Sequence, residues 1–77
     1  MNATVTVTVQ LYQEGGVAGP RGQIETTEAT ALDDAVAWAH GQVGWPWDGM
    51  LVNVRDDNDQ HVETYQIEFH GNSWEVV

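Results

Sequence analysis

The sequence predicts an α+β fold: a small, mostly antiparallel sheet of four to five strands with one helix packed on one face, in the order ββαβββ. Three observations predict it. Ala3, Val5, Val7, Val9 and Leu11 alternate with Thr4, Thr6, Thr8, Gln10 and Tyr12, which is period-two patterning in β-branched residues. Leu32, Ala35, Val36, Ala39 and Val43 fall at i, i+3, i+4, i+7 and i+11, a stripe about 100° wide on a helix. After Gly49 the alternation returns in three segments separated by polar turns.

The first strand is half buried, with valines inward and a threonine ladder outward. Gly15, Gly16, Gly19, Pro20 and Gly22 read as a flexible connection, after which residues 23–27 return as a second strand with Ile24 and Thr26 on one face. Thr30 is expected to cap the helix in a shortened capping box with Asp33, while Asp33 and Asp34 favour the positive end of its dipole. His40 and a glycine stop at Gly41 or Gly44 end it. Beyond Trp45-Pro46-Trp47-Asp48-Gly49, a third strand carries Met50, Val52 and Val54 on one side, and residues 56–59 make a polar turn. Residues 60–70 form a fourth strand with Tyr65, Ile67 and Phe69 on one side; Val62 is out of phase, which suggests a bulge or a later start. Gly71-Asn72 is a turn into a short fifth strand with Trp74 and Val76 inward. The face away from the helix then holds Thr4, Thr6, Thr8, Gln10, Gln23, Glu25, Thr64, Gln66, Glu68 and Glu75, a polar surface suited to solvent.

A chain of 77 residues fits one domain, 1–77, near the size at which a single core supplies only a few kcal/mol of net stability. It has no cysteine, so neither disulfides nor a thiolate metal site can support the fold. No segment has the length of a membrane span or of a signal-peptide core, and the expectation is a soluble, cytoplasmic protein. Acidic chains are often disordered, but here apolar residues are plentiful and periodic and include four tryptophans.

Twelve carboxylates face two arginines and no lysine, a formal charge of −10; because Arg21 cancels Glu14, all of it lies from Glu25 onward. Self-repulsion destabilises a compact domain, so such charge is a solubility device, a response to a saline host, or a surface for a cationic partner. Its sign argues against direct nucleic-acid binding, which draws its affinity from lysine and arginine on phosphates. It argues equally against anionic membranes. The partner expected is a basic protein surface, that of a nucleic-acid-binding protein or complex, engaged through steered association. The oligomeric state is left open. In size, acidity and compactness, though in no motif, the chain resembles the small phage inhibitors that block restriction, repair or CRISPR complexes, many of which mimic DNA.

Motifs for other chemistry are weak. His40, His61 and His70 lack the spacing of a helical zinc motif, and Asp56-Asp57-Asn58-Asp59 lacks the glycine and late glutamate of an EF-hand loop, so no metal or cofactor is expected. The one serine, Ser73, has no evident base, and the spaced glycines lack a phosphate loop's lysine. Trp45 and Trp47, flanking Pro46, either close the core beneath the helix or stand as exposed aromatic anchors. The residues selected for partner binding are Trp45, Trp47, Asp48, Asp56, Asp57, Asp59, Glu63 and Glu68. The reading is a non-catalytic inhibitory binding protein of a phage or mobile element, of anti-CRISPR or anti-restriction type. The alternatives are an immunity protein or interaction module of a cellular or salt-adapted host, and thirdly an enzyme.

Overall fold

Strict alternation of buried Val5, Val7, Val9 and Leu11 with more exposed neighbours builds β1 (Thr4–Gln13), an interior strand of the sheet. The structure, a computed structural model, describes residues 4–42 and 47–77. These form β1, β2 (Val17–Thr27), a 3-10 turn (Glu28–Thr30), α1 (Ala31–His40), β3 (Gly49–Arg55), β4 (His61–His70) and β5 (Ser73–Val76). The sheet order is β2-β1-β3-β4-β5, with every neighbouring pair antiparallel. The fold is thus α+β with the ββαβββ order that the patterning predicts. Helix α1 carries the chain from β2 across β1 to β3 and packs on those three strands.

β2 is longer than the residues 23–27 read from the sequence. Gly15 and Gly16, with φ of 89° and 85°, make the turn, whereas Gly19, Pro20 and Gly22 lie within the strand. The reason is steric. The ring of Trp47 covers Gly19, where a Cβ would stand 2.7 Å from it, and the ring of Trp38 covers Gly22 more closely still. Glycine in a strand interior often marks such a close approach. The β1–β2 register shifts between Gln10 and Tyr12, where the Gln10 amide donates to the carbonyls of Leu11 (2.9 Å) and Gly19 (2.7 Å).

The capping box does not form. Thr30 sits at φ −111°, ψ 4°, outside the extended region that aims a side chain at the first-turn N–H groups, and makes no side-chain cap. Its hydroxyl donates to Asp34 Oδ2 (3.0 Å) and shares hydrogen bonds with the hydroxyls of Thr26 and Thr27, while the Thr26 hydroxyl also donates to Asp34. Ala31, Ala35, Val36 and Ala39 are buried and Leu32 half-buried, as the helical stripe requires. Gly41 donates to the Trp38 carbonyl (3.1 Å) just past the helix; Val43 and Gly44 lie outside the described residues.

Val62 is the bulge: Val54 pairs with Glu63 and Arg55 with His61, so Val62 has no opposite residue. The β3–β4 turn is organised by Asp56, whose Oδ1 accepts from the N–H groups of Asn58 and Gln60, both at 2.9 Å. Asp59 closes the turn at φ 62°. Among the described residues the buried set is wholly apolar. Because the helix is centred on β2, β1 and β3, the same face of β4 and β5 is only partly covered, leaving Tyr65, Phe69 and Trp74 half-buried. No helix among the described residues is long and apolar enough to cross a membrane.

Candidate functional site

None of the twelve carboxylates is buried. The strands sort them by end. At one end β2 passes into the 3-10 turn and α1, and β3 turns into β4. Glu25, Glu28, Asp33, Asp34, Asp56, Asp57, Asp59 and Glu63 gather there. At the other end β1 turns into β2 and β4 into β5, and Glu14, Asp48, Glu68 and Glu75 lie there. The first group is opposed by Arg55, whose Nη1 lies 3.2 Å from Asp59 Oδ1.

Between these acids, the start of α1 and the open face of β4–β5 enclose a cleft of about 260 Å³. Its apolar walls include Leu32, Val54, Tyr65 and Trp74, and the exposed Glu28, Asp33 and Glu63 also line it. Carboxylates give this groove negative charge and aromatic faces give it apolar walls, a combination that could accept a cation or the apolar stem that carries one.

The eight residues selected from the sequence divide between the two ends. Asp56, Asp57, Asp59 and Glu63 belong to the first, and Trp47, Asp48 and Glu68 to the second; Trp45 lies outside the described residues. Glu63 pairs with Val54 on the helix side of the sheet, whereas Glu68 pairs with Gly49 on the other side, so these two glutamates serve no common surface. Trp47 takes the core-closing role: half-buried, packed on the core over Gly19, its indole Nε1 buried without a hydrogen-bond partner among the described residues. The Asp48 carboxylate accepts from the Glu14 N–H at 2.6 Å, which ties it to the β1–β2 turn. Trp74, expected in the core, is a half-buried wall of the cleft.

Glu28, Asp33, Leu32 and Tyr65 line the cleft but are not among the residues selected from the sequence. The acidic first turn is visible in the sequence, but it reads as dipole compensation until the bulge at Val62 brings Glu63 beside it. The hydroxyl of Ser73 donates to the His70 carbonyl (3.0 Å) and not to a basic side chain. Both arginines, with Thr8, Asn53 and His61, line a shallow depression on the sheet face away from the helix. Comparison with protein-family models, curated proteins and solved structures finds no match.

Proposed function

We propose that this is a non-catalytic binding protein whose carboxylate-rich end occupies a cationic, nucleic-acid-binding surface of another protein, standing in for phosphates. The observation that carries this reading is the gathering of Glu25, Glu28, Asp33, Asp34, Asp56, Asp57, Asp59 and Glu63 at one end of the sheet, all reachable by solvent. Clustered like charge steers an oppositely charged partner and raises association rates. The adjoining cleft, lined by Leu32, Tyr65, Glu28 and Glu63, would add a contact that phosphate alone lacks by taking an arginine side chain of the partner, its stem on apolar walls and its guanidinium toward carboxylates. An inhibitor of restriction or CRISPR machinery is the concrete form of this reading.

The test compares the chain with an Asp56→Asn, Asp57→Asn, Asp59→Asn triple variant against a purified partner and that partner's labelled oligonucleotide. The parent chain is expected to displace the oligonucleotide. The variant should associate at least about tenfold more slowly at low salt and with weaker salt dependence. Simultaneous binding of oligonucleotide and chain, with equal association rates for parent and variant, overturns the reading.

A further inference from the structure

The opposite end carries a second arrangement, of different chemistry. On the β4–β5 hairpin, Glu68 stands directly across from Glu75, and His70 across from Ser73. His70 Nε2 lies 2.9 Å from Glu75 Oε1 and 3.7 Å from Glu68 Oε2, and the donor atoms of all three residues fall within 4.8 Å of one another. The geometry points to a site for one divalent transition-metal ion, with zinc as its natural probe.

Four arguments support the assignment. First, an ion held at about 2.0–2.2 Å by imidazole and carboxylate keeps neighbouring donor atoms about 3–3.5 Å apart, so the observed spacings need only small rotamer adjustments. Second, two like charges directly opposite in an antiparallel pair destabilise it, and an ion between Glu68 and Glu75 turns that repulsion into a cross-link. Third, the donor set is one borderline nitrogen and two hard oxygens; the imidazole favours zinc, cobalt or copper over calcium or magnesium. Fourth, Glu14 and Asp48 share a depression of about 180 Å³ with Glu68 and His70, adding negative field around the ion. All three ligands are partly exposed, so water completes the coordination. The tight Gly71-Asn72 turn fixes the hairpin that spaces them, with Gly71 at φ 63°. None of this is visible as a motif, because Glu68-x-His70 and Glu75 meet only through strand pairing.

Isothermal titration of the untagged, metal-free chain with zinc chloride tests the proposal, with cobalt absorption as a second readout. One ion per chain is expected, with a micromolar dissociation constant and a higher Tm. His70→Ala and Glu75→Gln should each weaken zinc binding at least about tenfold. The triple variant Asp56→Asn, Asp57→Asn, Asp59→Asn should bind zinc as the parent does. Circular dichroism checks that each variant is folded. Should His70→Ala disturb the fold, the shift of the His70 imidazole resonances of the parent chain on adding zinc takes its place. The proposal is overturned if zinc binds no more tightly to the parent than to a folded His70→Ala chain, if the His70 resonances do not move, or if affinity follows total charge and not these three residues.

Discussion

Gly22 owes its place to Trp38. The indole ring lies where a side chain at position 22 would project, so the glycine is a seat and not a hinge. Gly19 holds the same relation to Trp47, and Gly49, directly across from Tyr12, lies close beneath the tyrosine ring on the other sheet face. Each pair exchanges a strand residue's own packing for a flat aromatic contact from a neighbouring element. Gly22→Ala should therefore cost about 1–3 kcal/mol through overpacking. In a Trp38→Ala background the same change should be neutral or stabilising, since alanine restricts the unfolded chain more than glycine does. Chemical denaturation of the four chains of this cycle measures both; an equal cost in both backgrounds would show that the ring is not the cause.

Among the elements, the β3–β4 turn shows why exposure alone is a poor guide to substitution. Asp56, Asp57 and Asp59 read from the sequence as interchangeable surface acids, yet the Asp56 carboxylate holds the N–H groups of Asn58 and Gln60. Asp56→Ala should cost about 1–2 kcal/mol, and Asp56→Asn, which keeps an acceptor oxygen, well under half of that. A thermal melt of the two variants decides it, with equal losses counting against the turn's dependence on this oxygen. The elements themselves were legible because their periods are clean. β1 alternates without fault, the stripe of Ala35, Val36 and Ala39 has a helical period, and even the phase slip at Val62 pointed to its bulge. What the sequence hid is pairwise. No local pattern shows that Gly19 and Gly22 sit beneath tryptophans, so the periodicity alone places β2 only at residues 23–27. Nor does any local pattern show that Glu63 lies beside the start of α1 while Glu68 lies on the reverse face, so the eight selected residues fall at both ends. Thr30 misled for a local reason: a 3-10 turn enters the helix and leaves the threonine's backbone outside capping geometry.

Across the whole molecule, the fold separates its apolar interior from its charge completely among the described residues, then divides the charge unequally between two ends. Eight carboxylates at one end repel, and the Arg55–Asp59 ion pair, with Arg55 partly buried and Asp59 well exposed, offsets little of that repulsion. Added salt should therefore stabilise the protein, because the screening length falls from about 30 Å at 0.01 M to about 3 Å at 1 M. Melting temperature measured over that range with sodium chloride is expected to rise, and to rise less for the Asp56→Asn, Asp57→Asn, Asp59→Asn variant. A flat or falling profile would mean that these charges do not strain the fold. On the proposed function, a cationic partner would relieve this repulsion on binding, and the salt dependence of the free protein would then measure part of what it relieves.

Pro20 has a further effect. It sits within β2, an outermost strand of the sheet, and brings no backbone N–H to that edge. A strand from another molecule zipping onto β2 would meet a missing donor there, beside the register shift opposite Leu11. The other edge, β5, offers only four residues. A sheet whose two borders are interrupted or short makes a poor template for edge-to-edge growth, so this chain is guarded against aggregation by its backbone as well as by its charge.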